Sequence, residues 1–150
     1  SPDKAIQALN TEGIDIIQIP TNILDRRFEN AGVFKLANEK KKKFYIRSIF
    51  LQGLILMDVK EIPEKMVFAR TVIEKLESLS MDLGLTRQEL ALGYLKSEMP
   101  NAMVIFGADT PDHVRENRLC WEKVPPPSLA SRVKNIFNDV DERILNPVLW

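Results

Sequence analysis

A chain of 150 residues that is 45% hydrophobic and 28% charged is long enough to bury one core of moderate size and too apolar to stay disordered. Lysine plus arginine and aspartate plus glutamate stand at 21 each, so no global field draws the chain to nucleic acid or to an acidic membrane, and partners must be sought locally. A single cysteine, Cys120, excludes an intramolecular disulfide; with no apolar run of roughly 18 residues and no basic-then-apolar leader, the expectation is a cytoplasmic protein without a membrane partner.

The elements alternate along the chain. Ser1-Pro2-Asp3 reads as an N-cap followed by a first-turn proline, and Ala5, Ile6 and Leu9 recur at helical spacing, so a helix comes first. A strand follows over Ile14–Ile19. Leu24, Phe28, Ala31 and Val33 to Leu36 carry an imperfect helical stripe that ends near Lys40–Lys43, a lysine run read as a solvated helix end whose cations complement the dipole. The β-branched and aromatic residues from Phe44 to Phe50 read as a buried strand. A helix is expected from Pro63 to about Leu79, with Met66, Ala69, Val72, Ile73 and Leu76 on its inner face. Thr86-Arg87-Gln88-Glu89 is a capping box for a helix to about Ser97, and Ala102–Phe106 forms the last strand. Pro125-Pro126-Pro127 is a stiff connector, after which Leu129, Val133, Ile136, Phe137 and Val140 repeat at helical spacing.

Strands that are nearly continuous in apolar residues, separated by helices, imply a parallel sheet covered by helices. Only three strands are visible, whereas a closed (β/α)8 barrel takes about 250 residues, so the chain is too short to close alone. Neither an internal repeat nor a low-complexity tract is visible.

The richest stretch runs from Val104 to Asn117. A short apolar run ends at Gly107, and Thr110 and Pro111 then supply the N-cap and first position of a helix, aiming free backbone N–H groups above the strand. This is an anion site in outline, although most strand-turn-helix junctions bind nothing. The stretch resembles the last strand and following helix of aldo/keto reductases. Two further stretches match in the same order: Gly13 to Asn22 is similar to the family's sixth barrel strand, and Phe44 to Leu54 to its seventh with the loop after it. The ending Ile144-Leu145-Asn146-Pro147 with Trp150 also resembles the close of many members. The match begins after the family's fifth strand. The resemblance therefore implies an α/β fold that is the C-terminal half of a (β/α)8 TIM barrel, strands six to eight with flanking helices, with residues 1–150 forming the cofactor-binding half.

What the resemblance implies about chemistry divides in two. In the family a tyrosine donates the proton to the forming alkoxide, tuned by lysine, aspartate and histidine, all on the first four strands or their loops. None of those positions exists here, so no catalytic residue is expected. Tyr45 sits at the start of a predicted strand, the wrong end for barrel chemistry, and Tyr94 sits inside a helix. His113 is the sole histidine, and with one cysteine it cannot build a typical zinc site.

Cofactor contacts carry over residue by residue. Gln18, taken as the end of its strand, matches the glutamine that hydrogen-bonds the nicotinamide carboxamide, which an amide suits because it both donates and accepts. Arg47 and Ser48 match positions beside the nicotinamide ring and pyrophosphate; an arginine on so apolar a strand, if buried, needs a phosphate or carboxylate partner. Phe50, Leu51, Gln52 and Gly53 are expected to offer backbone N–H groups to the pyrophosphate, Gly53 permitting the close turn. Many members have Ser-Pro-Leu where this chain has Ser48-Ile49-Phe50, which leaves the loop's path open. Glu116 and Asn117 match the pair at the adenine amino edge.

One departure bears on cofactor choice. Many members grip the 2′-phosphate of NADPH with a cation in the turn after the last strand and an arginine in the first helical turn. Here the turn is Gly107-Ala108-Asp109-Thr110 and His113 takes the helical position, which tilts the expectation toward NAD over NADP unless Arg115 reaches the phosphate. The leading expectation is thus the cofactor-binding half of an NAD(P)-dependent aldo/keto reductase, whose intact parent reduces a small aldehyde or ketone. Two others stay open: a non-catalytic half-barrel that self-associates through exposed sheet edges, and the phosphate-binding half of another barrel enzyme.

Overall fold

The computed structural model, which describes residues 1–150, places three strands in one parallel sheet: β1 (Ile16–Pro20), β2 (Lys43–Arg47) and β3 (Met103–Val104), with β2 in the middle. Ile17 lies opposite Phe44 and Ile19 opposite Ile46, which in turn lies opposite Val104. Because paired residues in a parallel ladder point to the same side, Ile17, Ile19, Phe44 and Ile46 form one buried face. Helices α1 (Pro2–Asn10) and α3 (Val33–Glu39) pack on it. At about 1.5–3 kcal/mol per fully buried aliphatic side chain, this face holds the layer together.

The opposite face is bare. Ile16, Gln18, Lys43, Arg47 and Met103 stand exposed on it, Ile16 at 52% and Met103 at 44%. A sheet covered by helices on its apolar residues holds for one face only. The sequence hides this because Ile16, Met103 and Ile105 make the open face look like core. Two site expectations change with it. Gln18 sits mid-strand in β1, opposite Tyr45, and not at the strand's end. Arg47 is exposed, so its guanidinium has no desolvation cost to offset.

Element boundaries move for local reasons. The stripe from Leu24 to Leu36 is two helices, α2 (Arg27–Asn30) and α3, broken at Gly32, whose φ of 72° is left-handed. The second strand stops at Arg47 and not at Phe50, because Ser48, Leu51 and Gln52 all adopt positive φ. The helix expected from Pro63 is a 3-10 stretch over Glu64–Ala69, kinked at Met66, and then α4 (Arg70–Leu83). Met66, Ala69, Ile73 and Leu76 are buried as the spacing requires, while Val72 is only half-buried. The last strand pairs over only two residues, although Ile105 N–H still donates to Ile46 O at 2.7 Å.

Helix α5 (Arg87–Glu98) carries the polar centre of the core. Tyr94 is fully buried, and its hydroxyl donates to Glu29 Oε2 at 2.6 Å, while Lys134 Nζ lies 3.1 Å from Glu29 and also pairs with Glu98. Burial and the Glu29 carboxylate push the phenol well above its ordinary value. The cluster ties α5 to α2 and to α7 (Leu129–Ile136), the helix after the proline connector.

The capping box forms as read. Thr86 Oγ1 accepts from Glu89 N–H at 3.1 Å and Glu89 Oε2 accepts from Thr86 N–H at 2.7 Å. Glu89 also pairs with Lys123, just past α6 (Pro111–Glu122), and that bond, followed by the one from the Thr86 backbone, holds its carboxyl below the usual glutamate range. A lowered folded value means that Glu89 stabilises the fold fully above the unfolded value and loses the contribution as pH falls through the folded one. Glu89→Gln keeps a capping side chain but removes the titration. Urea unfolding at about pH 7 and about pH 3 is expected to show a smaller acid-induced loss of stability in Glu89→Gln than in the native chain; equal losses would contradict this.

Candidate functional site

Because all three strands run parallel, the segments that follow them emerge at one rim of the sheet. The loop after β2 and the turn after β3 enclose a cleft of about 630 Å³ there. Ser48, Phe50, Leu51, Gln52 and Gly53 line one wall, and Gly107, Asp109, His113, Glu116 and Asn117 the other. Ten of the residues expected to touch a cofactor thus meet in one place from two segments far apart in sequence.

The loop after β2 is built on unusual backbone. Ser48, Leu51 and Gln52 have φ of 60°, 47° and 56°, and Gly53 follows at 86°. Only the glycine adopts this region without strain; each of the others costs of order 1–3 kcal/mol, which the surroundings must offset. Asn22, 1% exposed and two residues past β1, ties the start of this loop to the segment after β1. Its Oδ1 accepts from Leu24 N–H at 2.9 Å and Asp25 N–H at 3.0 Å, while its Nδ2 donates to Ser48 O at 3.2 Å.

The folding of the loop divides its backbone donors. Leu51 N–H is spent on Ser48 O at 3.0 Å and Gly53 N–H on Phe50 O at 2.9 Å, so these two do not offer donors as expected. Phe50 and Gln52 N–H have no partner in the chain. Leu51 serves instead as a buried anchor at 2% exposure.

On the opposite wall the helix start is as read. Thr110 Oγ1 accepts from His113 N–H at 3.2 Å, with Pro111 in the first turn of α6. Thr110 is therefore occupied as a cap, and neither it nor Ala108 lines the cleft. The backbone N–H groups of Ala108, Asp109 and Asp112 are unspent. Asp109, His113 and Glu116 are the titratable side chains of the cleft, which contains no lysine or arginine. Arg47 adjoins it: its Nη1 donates to Ser48 Oγ at 3.2 Å. Arg115 pairs with Asp112 and Arg118 with Glu122, both on the exposed side of α6. Gln18 and Arg47 do not line the cleft; they share a separate depression with Lys4, Ala5 and Ala8 of α1, β1 and Phe28.

Two functional candidates escaped the sequence reading. Asn22 stands inside a matched stretch, but nothing local marks it as a clamp. Gln88 lines the cleft and donates from Nε2 to Asn117 Oδ1 at 2.8 Å, a contact across 29 residues that no short-range pattern announces. No group of three or more histidine, cysteine, aspartate or glutamate side chains is placed to hold a metal ion. No helix is long and apolar enough to cross a membrane.

The clamp yields a direct test. Asn22→Ala leaves the Leu24 amide without its acceptor and Ser48 O without its donor, in a buried place. A loss of about 2–4 kcal/mol in urea unfolding is expected from the unpaired groups; a change under about 0.5 kcal/mol would show that Asn22 does not hold the loop.

Two comparisons place the sequence and the fold among known proteins. A model of the aldo/keto reductase family matches residues 3–136. Among solved structures, the fold is similar to aldo-keto reductase AKR11C1 from Bacillus halodurans in its apo and holo forms. Both superpose with a TM-score of 0.76 at 24% identity over 97% of this chain; the apo match covers 51% of that protein's chain and the holo match 50%. The thermostable aldo-keto reductase Tm1743, solved with the inhibitor epalrestat, superposes with a TM-score of 0.60 at 23% identity, over 84% of this chain and 41% of that one. No curated protein matches the sequence significantly. The chain thus spans about half the length of the solved structures it matches, and it belongs to the aldo/keto reductase family.

Proposed function

We propose that this chain is the C-terminal, cofactor-binding half of an aldo/keto reductase barrel, strands six to eight, and that its cleft holds a nicotinamide dinucleotide. Members of the family bind such dinucleotides and carbonyl substrates. The observation that carries the reading is the convergence of the β2 loop and the β3 turn on one cleft, each with unspent backbone N–H groups. Phe50 and Gln52 N–H suit the pyrophosphate, and Arg47 adds positive charge beside it through Ser48. Asp109, His113, Glu116 and Asn117 suit the adenosine end. Gln18 and Arg47 point from the bare side of the sheet, the side that would face the lumen of a closed barrel, where the nicotinamide would lie.

Turnover needs groups this chain does not supply. The cofactor would deliver hydride to a carbonyl carbon, and the oxygen must then receive a proton. Tyr94 cannot provide it: the hydroxyl is buried in the core, bonded to Glu29 and held protonated. Tyr45 lies in the middle of β2, opposite Gln18 and not at the strand's start, and it does not line the cleft, so the reading takes the proton donor from the other half of a barrel and this chain as a binding half without activity of its own.

Asp109 decides the cofactor. It lines the cleft, while Arg115 is engaged by Asp112 and does not. An acidic group beside the ribose favours the free hydroxyls of NAD and repels a 2′-phosphate. Titration with NADH and NADPH is expected to give tighter binding of NADH, and Asp109→Arg is expected to move the ratio toward NADPH by about tenfold or more, the yield of one charge-assisted phosphate contact. A native preference for NADPH that Arg115→Ala abolishes would overturn the assignment of the turn.

The bare face supports a second element of the proposal. Exposed Ile16, Met103 and Ile105, with free edges on β1 and β3, favour pairing with another copy when no other barrel half is present. Light scattering is expected to give a dimer or larger species, with Met103→Lys lowering the mass; a monomer at high concentration would refute self-association.

A further inference from the structure

The two walls of the cleft come from different segments, and the first turn of α5 bonds to both. The β2 loop is pinned at its two ends by side chains from elsewhere in the chain. Asn22 holds it at Ser48 O, and Arg87 Nη1 donates to Met57 O, directly after the 3-10 turn Leu54–Leu56. Between the pins, the loop's own bonds run from Leu51 N–H to Ser48 O, from Gly53 N–H to Phe50 O and from Leu56 N–H to Gly53 O. These set its internal shape and not its distance from α6. Leu51, Leu54 and Ile55 are buried beneath it, but apolar burial has no direction. On the other side, Gln88 bonds to the Asn117 side chain on α6 at 2.8 Å, a contact that survives if both amides turn over together. Glu89 bonds to Lys123, just past the end of α6. Three consecutive residues of one turn thus reach the loop wall, the α6 wall and the end of α6.

We propose that Arg87 is a positioning residue: by holding Met57 O from the turn of α5 that is also bonded to α6, it sets the distance between the two walls of the cleft. Arg87 does not line the cleft, so it acts only through the loop. A guanidinium suits the task, because it is always charged and its bond to a carbonyl in a half-buried place is among the stronger single contacts. The consequence for binding rests on the cofactor reading above. A dinucleotide must touch the Phe50 and Gln52 N–H groups and the start of α6 at once, so its affinity depends on their spacing, whereas contacts to one wall alone do not.

Arg87→Met keeps the aliphatic stem and removes the donor, and circular dichroism with thermal melting verifies that it folds. Without ligand, amide hydrogen exchange at Gly53, Leu56 and Met57 is expected to quicken by at least about tenfold in Arg87→Met, while the amides of β2 keep their protection. With ligand, the affinity for NAD⁺ is expected to fall by about tenfold. At saturation NAD⁺ should still shift the Ala108, Asp109 and Asp112 amides of the variant, with the shifts at Phe50 and Gln52 reduced. A general loss of stability would not divide the walls in this way. Arg87→Lys, which keeps a charged donor at similar reach, is expected to restore both exchange protection and affinity. In the native chain the Arg87 guanidinium protons are expected to be resolved and slow to exchange, a readout independent of any variant. A freely averaging guanidinium, or folded Arg87→Met with unchanged loop exchange or unchanged NAD⁺ affinity, overturns the proposal. If the native chain binds no NAD⁺ while Arg87→Met still loosens the loop, the cofactor reading falls and the positioning of the loop by Arg87 stands.

Discussion

The parallel pairing of β1 and β3 to the two sides of β2 is the constraint on which the rest of the molecule depends. Parallel strands in one sheet must be joined by crossovers, and here the crossovers are helical and lie on one face. That arrangement brings the residues following each strand to a common rim. Ser48 to Gly53 and Gly107 to Asn117 consequently face each other across a cleft although nothing in their own sequences attracts them. The site is a consequence of topology first and of side-chain chemistry second.

The same constraint explains the division of labour within the chain. One face of the sheet is buried under α1 and α3 and contributes stability; the other carries Gln18, Arg47 and exposed isoleucine and methionine and contributes none. Polar cores lie away from the cleft, in the Tyr94, Glu29, Lys134 and Glu98 cluster, where they fix the helix layer. Backbone strain, by contrast, is concentrated at the cleft, which holds three of the four non-glycine residues with positive φ, the fourth being Lys41. Ser48, the first of those three, is held at its carbonyl by the Asn22 clamp, and the loop's path leaves Phe50 and Gln52 N–H without partners.

Legibility in the sequence followed the range of the interaction. Helix starts were readable because a cap is local: Thr86 with Glu89 and Thr110 with Pro111 act within three residues. The family resemblance rested on three stretches in order, and the family model bears it out. The loop after β2 was not readable, because Ser48, Leu51 and Gln52 carry no sign of left-handed backbone, and a run of apolar residues through Phe50 imitates a longer strand. The exposure of Arg47 is not legible for a related reason, since an exposed sheet face and a covered one can share the same residue types. The bond from Gln88 to Asn117 depends on α5 and α6 packing side by side, which only the folded chain reveals.

The central claim is that the two rim segments form one dinucleotide site with unspent amides. Backbone amide chemical shifts followed through a titration with NAD⁺ test it most directly. The account predicts the largest changes at Phe50, Gln52, Ala108, Asp109 and Asp112, with Leu51 and Gly53, whose N–H groups are engaged within the loop, moving less. Changes confined to the bare sheet face, or none at either rim segment under saturating NAD⁺, would contradict it.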